Sequence, residues 1–262
     1  MLEYIGLPVA GFLIGLLVIS FGGGGGAIYV GILTVFFNIS PAIAASTSLA
    51  TIVPTTAAGA FSHWKAGNIN FHYGITMLVC GVIGSIVGSY CSKFLPLGVY
   101  SKLTGIIFIL LGIQMFVSNK KRQKAKSSDG QQTGGENGRK NTVKAICFGT
   151  LAGAMSGLIG LSGGGAIVGG LAILGCSAME TVGTSVLVLL GISITGFSIH
   201  LGLGNIDWQL VGLLAIGTIS GSLVGPFLLK RTYKGNKELV ERIMQPAFLA
   251  VITVMGILML LK

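Results

Sequence analysis

Two glycine runs are the residues of this chain whose type and spacing could do chemistry. They are Gly22-Gly23-Gly24-Gly25-Gly26 and, directly after Ser162, Gly163-Gly164-Gly165. Each sits inside an apolar stretch. At membrane depth no water is present to satisfy the backbone, so a chain interrupted there exposes N–H groups that need an acceptor. A small anion is a natural acceptor. A broken helix aims an N-terminus bearing about half a positive charge at it, and glycine lets the ligand approach the backbone. Small residues in membranes more often serve close helix packing, but two runs at matched positions favour an anion site.

Thr47-Ser48 and Thr184-Ser185 follow the runs. They fall near the expected starts of the next helices, where a hydroxyl can donate to an oxyanion or cap the helix. His63 and His200 are the histidines at a repeated position, and their titration range makes them the candidates for proton coupling. Trp64, Lys65 and Asn68 around His63 fit a membrane interface equally well, as does His72. Pro54, in a segment that should be helical, implies a kink and a freed carbonyl.

What is missing narrows the chemistry. Glu180 and Asp207 stand at segment ends and Glu3 at the terminus, so no carboxylate lies inside an apolar segment. A carboxylate proton relay or buried cation site is therefore not expected. Nothing matches HExxH, a nucleophile elbow, GxxxxGK[ST] or metal-spaced Cys/His, so neither an enzyme nor a cofactor or metal is expected. Cys80, Cys91, Cys147 and Cys176 are scattered without ligand-like spacing and read as reduced packing residues.

The elements that must position these residues are membrane helices. The chain is 52% hydrophobic and 9% charged, against about 25% charged in a soluble domain. A soluble fold could not bury that much apolar surface, so the fold class is an all-α integral membrane protein. Apolar segments lie at 7–37, 42–62, 71–92, 99–118, 143–176, 181–201, 208–229 and 244–261. The start Met1-Leu2-Glu3-Tyr4 lacks the positive region of a signal peptide, so the first segment is expected to be retained. The net charge of +10 resides in connecting loops, where topology explains it better than nucleic-acid binding.

These segments form two groups of four, a repeat over 1–118 and another over 143–262. Between them lies a basic polar linker, 119–142, too hydrophilic to bury anything. Aligning 46–88 with 183–225 at a constant offset brings His63 onto His200, and Gly67-Asn68-Ile69 onto Gly204-Asn205-Ile206. Apolar helices matching by chance would share Leu and Val instead. Duplicated halves with glycine-interrupted segments point to a transporter whose site lies between the repeats.

Charge decides their relative orientation. If all eight segments cross, the basic residues divide ten on the linker side to seven opposite. If 7–37 and 143–176 are re-entrant hairpins bent at their glycines, Lys230, Arg231, Lys234, Lys237 and Arg242 join the linker side, Lys262 leaves it, and the division is fourteen to three. The positive-inside rule therefore favours inverted repeats, each opening with a glycine-broken hairpin, and a cytoplasmic linker in the cell membrane. Gly84/Gly88 and Gly217/Gly221/Gly225 form small-xxx-small ladders suited to helix packing, and they could also build a homodimer.

The residues carry a resemblance. A glycine-rich first segment, Ala44-Ala45-Ser46-Thr47-Ser48-Leu49 and a closing Gly67-Asn68-Ile69-Asn70-Phe71 return as Gly183-Thr184-Ser185 and Gly204-Asn205-Ile206-Asp207-Trp208. In these motifs and their order the chain resembles the TauE/SafE family, also called the toluene sulfonate uptake permease family. The resemblance covers nearly the whole chain. It implies transport of sulfite, sulfoacetate or another organosulfonate without nucleotide hydrolysis. Ser46 departs from the glycine that commonly precedes Thr-Ser in that family. The expected function is a secondary transporter of a small sulfur oxyanion, working by alternating access. The expected binding residues are Gly22, Gly23, Gly24, Gly25, Gly26, Thr47, Ser48, Ser162, Gly163, Gly164, Gly165, Thr184 and Ser185. A non-transporting membrane scaffold and an anion channel are the alternatives.

Overall fold

The structure is a computed structural model. It describes residues 2–21, 24–96, 98–99, 102–110, 113, 138–203, 206–233 and short pieces between 253 and 260. Gly22, Gly23, Gly204, Asn205 and positions 119–137 of the linker lie outside the described residues, as does most of the expected segment 244–261. The described chain is helical: α1 (Leu2–Phe21), α2 (Gly26–Val35), α3 (Pro41–Lys65), α4 (Phe71–Ser92), α5 (102–110), α6 (Gly138–Ile159), α7 (Gly164–Ile173), α8 (Ala178–Leu203) and α9 (Trp208–Tyr233).

Local chemistry sets the boundaries. The Asn70 side chain accepts from the Tyr73 N–H at 3.3 Å and opens α4; Asp207 accepts from Gln209 and Leu210 at 3.1 Å and opens α9. Both are the boundary residues expected. Ser177 and Glu180 form a reciprocal capping box before α8: the Ser177 N–H donates to Glu180 at 2.9 Å, and the Glu180 N–H to the Ser177 hydroxyl at 3.3 Å. That box starts α8 three residues before its apolar stretch, while α3, with Pro41 in its first turn, starts within one residue of its own. Thr47, Ser48, Thr184 and Ser185 consequently sit about two turns inside their helices and cap nothing, which corrects the expected capping role. Likewise α6 begins at Gly138 rather than near 143, because its first turns, with Arg139 and Lys140 exposed, are helical without being apolar.

Among the described residues three helices are long and apolar enough to cross a membrane: Phe71–Ser92, Gly138–Ile159 and Met179–Gly202. Helix α3 has 25 residues, roughly 37 Å, yet is rich in Ser and Thr. Protein rather than lipid surrounds them. Thr51, Thr55 and Thr56 are buried and donate to the carbonyls one turn back, at 2.8–2.9 Å. Pro54 lies within this helix. In contrast, α2 and α7 have 10 residues each, about 15 Å, half the hydrocarbon thickness.

Helix α7 lies back along α6. A Cβ at Gly170 would stand 2.7 Å from the Phe148 ring, and Leu171 and Leu174 share a core with Ala145 and Phe148. One continuous helix would hold Gly170 about 33 Å from Phe148.

The most extensive packing joins α4 to α6 and α1 to α9, with α3 and α8 crossing between these pairs. Glycine makes both pairings possible. A methyl at Gly153 would strike the Gly81 carbonyl, one at Gly84 that of Thr150 and one at Gly88 that of Ala154. On the other pair, Gly11 and Gly15 face the backbone of Leu214 and Thr218, while Gly217 and Gly221 face Pro8 and Phe12. The ladders Gly84/Gly88 and Gly217/Gly221 thus pack within the chain. This is the packing role their spacing suggested.

Candidate functional site

The two helix breaks touch. The first runs from Phe21 to Gly26 and the second from Gly160 to Gly163. A Cβ at Gly26 would lie 2.6 Å from the Leu161 carbonyl carbon, 2.7 Å from the Gly160 oxygen and 2.8 Å from the Ser162 nitrogen. One at Gly24 would lie 2.6 Å from the Ser162 hydroxyl and 2.9 Å from Leu189 of α8. Gly24, Gly25, Gly26, Ser162, Gly163 and Gly164 are all buried. Only glycine at position 26 allows two backbones this close.

The breaks are left-handed. Gly24 and Gly25 have φ 70°, Gly160 has φ 70° and Gly163 has φ 65°. Ser162, at φ 60°, is a non-glycine residue in the same region. It costs about 1–2 kcal/mol there, and such residues gather at functional sites. Gly25 and Gly163 stand at the N-cap positions of α2 and α7, and neither helix has a side-chain cap. Ile28 and Tyr29 donate to the Gly25 carbonyl, and Ala166 and Ile167 to that of Gly163. Helix geometry then leaves the N–H groups of Gly26, Ala27, Gly164 and Gly165 without an acceptor inside their own helices. Two short helices therefore bring uncapped, positive ends into one buried place.

Helix α3 grips both breaks. The Ser48 hydroxyl reaches the Gly160 carbonyl at 3.1 Å and the Gly26 carbonyl at 3.4 Å, so one hydrogen is shared between the two. The neighbouring Thr47 hydroxyl is fully buried and has no hydrogen-bond partner among the described residues. One residue earlier, Ser46 lies 3.1 Å from Nδ1 of His200, whose Nε2 is 2.8 Å from the Gly157 carbonyl.

Thr184 and Ser185 have hydrogen bonds of their own. Thr184 accepts from the Asn70 N–H at 2.8 Å, and a Cβ at Gly183 would strike the Asn68 carbonyl. The Gly-Thr-Ser motif of the second half thus receives the Gly-Asn-Ile-Asn loop of the first. Ser185 donates to the Val182 carbonyl at 2.8 Å. Gly22 and Gly23 fall outside the described residues. His63 is in the last turn of α3, its ring nitrogens buried without partners among the described residues. Exposed Phe61 and Trp64 surround it, and Lys65 lies over the Phe61 ring at 4.4 Å, as suits an interface.

Gly160 and Leu189 are site residues that the sequence reading missed. An isolated glycine and a leucine in an apolar helix carry no signal of their own. A cleft of about 500 Å³ opens elsewhere, lined by Ile39, Ser40, Ile43, Ile206, Asp207 and Trp208. Its one ionisable group is a carboxylate, which repels anions, and no glycine-run residue lines it.

Known proteins are similar to this chain over most of its length. Residues 7–260 match the family described as "Sulfite exporter TauE/SafE". The "Probable membrane transporter protein YdhB" of Bacillus subtilis (strain 168) is 31% identical over 219 residues, 82% of this chain and 85% of that protein. A "Probable membrane transporter protein" of Methanocaldococcus jannaschii is 30% identical over 275 residues, 97% of this chain and 94% of that one. A third relative, the "Probable membrane transporter protein YunE" of Bacillus subtilis (strain 168), is 25% identical over 259 residues, 92% of this chain and 94% of its own length. With glycine-broken helices meeting inside a multi-pass membrane fold, this chain belongs to the TauE/SafE sulfite exporter family, a family of membrane transporters and not of enzymes.

Proposed function

We propose that this protein is a secondary transporter that carries a small sulfur-containing oxyanion, sulfite or an organosulfonate such as sulfoacetate, by alternating access. The observation that carries this reading is the meeting of the uncapped N-termini of α2 and α7 at Gly24–Gly26 and Gly160–Ser162. Two half-charges about 5 Å apart at an effective dielectric near 20 repel by roughly 1 kcal/mol. A monoanion about 4 Å from both reverses the sign, with an attraction of roughly 4 kcal/mol before its own desolvation. The buried Thr47 hydroxyl adds a donor, and Ser48 can release the carbonyls it holds. No lysine or arginine is needed, and a site without fixed charge can let its anion go.

The reading includes two inverted repeats, each opening with a re-entrant glycine-tipped hairpin, and a cytoplasmic linker. Its supports are the return of α7 along α6, the exchanged pairing of α1 with α9 and α4 with α6, and the fourteen-to-three charge division. Rocking of the two halves about the touching breaks would expose the anion to each side in turn.

The test is flux into proteoliposomes across sulfite, sulfate, thiosulfate and sulfonates. Saturable uptake with counter-flow is expected, and Gly24→Val and Gly164→Val, which add bulk at the breaks, abolish it in the protein that still folds, as checked by monodisperse elution in detergent. Transport that survives both substitutions would overturn the site, and flux without saturation or counter-flow would make the protein a channel.

A further inference from the structure

The histidines at repeat-matched positions have unlike surroundings. His200 is 4% exposed in the last turn of α8. Its Nε2 faces the Gly157 carbonyl at 2.8 Å. A carbonyl only accepts, so Nε2 carries a hydrogen and donates. That leaves Nδ1, 3.1 Å from the Ser46 hydroxyl oxygen, which is also 3.1 Å from the Ala42 carbonyl. The Ser46 hydrogen therefore has two acceptors at equal reach.

In the neutral ring, Ser46 donates to Nδ1. When a proton binds Nδ1, Ser46 turns its hydrogen to the Ala42 carbonyl and accepts from the new N–H. Only the proton is added, no other bond is made or broken, and every polar atom keeps a partner in both states. From this geometry we infer that His200 is the proton-binding site of the carrier and that Ser46 is the positioning residue that makes its charged form tolerable. The inference rests on the carrier reading above.

The other half lacks the device. The position matching Ser46 is Gly183, which has no hydroxyl and whose missing side chain makes room for the Asn68 carbonyl. His63 accordingly has no partner on either ring nitrogen among the described residues.

Helix α3 presents Ser46, and its own His63 and Lys65 stand about 25 Å further along. Helix α6 presents Gly157, with Lys144, its nearest basic residue, about 20 Å away along the axis. Helix α4 brings Ser85 and Ser89 to this region, the latter against Gly157, and continues into exposed Tyr90 and Cys91 and the C-cap Lys93, whose ammonium lies 5.5 Å from the Tyr90 ring. Along α8 itself Glu180 is about 30 Å off. Helix α7 contributes no titratable group, and α1 carries Glu3 and Tyr4 in its first turn.

Protonation reaches the anion site through α3 and α6. One turn of α3 holds the end of α6 twice, through Ser48 on Gly160 and through Ser46 and His200 on Gly157. A charged ring donates to Gly157 roughly twice as strongly as a neutral one, so the proton tightens the strand that leads into the second break.

The experiment uses the full chain with ¹⁵N-histidine in nanodiscs, assigned with His63→Gln and His72→Gln. Across about pH 4 to 9, Nδ1 of His200 should pass from unprotonated to protonated while Nε2 stays an N–H. Ser46→Ala should lower that midpoint by about one pH unit, since the hydrogen bond to the charged ring is stronger than the one to the neutral ring, and Ser46→Thr should restore it. In proteoliposomes, His200→Gln should leave a sulfite flux that no longer responds to a pH gradient, whereas His63→Gln keeps the response. A His200 that does not titrate, a midpoint indifferent to Ser46, or a pH-gradient response that survives His200→Gln would overturn the inference. Absence of anion counter-flow in the wild type would instead sink the carrier reading, and the coupling role with it, while the spectra still decide whether His200 binds the proton.

Discussion

Gly26→Ala is the sharpest probe of the touching breaks, because it adds one methyl where the structure has no room. The new Cβ would lie 2.6–2.8 Å from three backbone atoms of Gly160, Leu161 and Ser162. None of these can move by changing a rotamer. Restoring ordinary contact requires the breaks to part by about 0.6–0.8 Å, and such overpacking costs about 1–3 kcal/mol. Alanine recovers at most about 1 kcal/mol through helix propensity, less at this first residue of α2. The net loss of about 1–2 kcal/mol should lower the melting temperature in detergent by about 2–6 °C. Parting the two N-termini should weaken sulfite binding by roughly tenfold, or about 1.4 kcal/mol. Gly212→Ala is the control: it makes the same chemical change in α9 with nothing within 4 Å, and should be neutral or stabilising by up to about 1 kcal/mol. Binding by calorimetry and melting by intrinsic fluorescence check both. A Gly26→Ala protein that melts and binds like the wild type would refute the claim that the breaks meet.

Other consequences follow from the packing and the loops. Gly153→Ala drives a methyl into the Gly81 carbonyl; it should pry α4 from α6, cost about 1–3 kcal/mol and show as a lower melting temperature. Burial, with the Glu180 carboxylate adding to it, pushes the Cys176 thiol up to about 11. Alkylation needs the thiolate, so at pH 8 Cys176 should react more slowly than exposed Cys91 and gain about tenfold per pH unit until near 11, as read by peptide mass spectrometry. Gly130→Cys and Gly235→Cys should be labelled by an impermeant reagent from the same face of the membrane, and labelling from opposite faces would remove the inverted-repeat reading.

The amino-acid sequence determined what could be read from composition and local chemistry. Low charge and long apolar runs require a multi-pass helical membrane protein. Five glycines in a row cannot continue a helix at membrane depth, and Asn70 and Asp207 signal helix starts through side chains that satisfy nearby N–H groups. The start of α8 was less legible, since the Ser177–Glu180 box acts outside the apolar stretch that hydropathy detects. Tertiary structure alone decided the rest, because contact between distant segments leaves no local pattern. It brought Gly26 onto Gly160–Ser162, gave Ser48 two carbonyls to hold and turned Thr184 toward the Asn70 loop. It also divided two histidines that look equivalent in the sequence. A single Ser46, where the other half has Gly183, supplies His200 with a partner that His63 lacks, and only folding places that hydroxyl 3.1 Å from a ring 154 residues away.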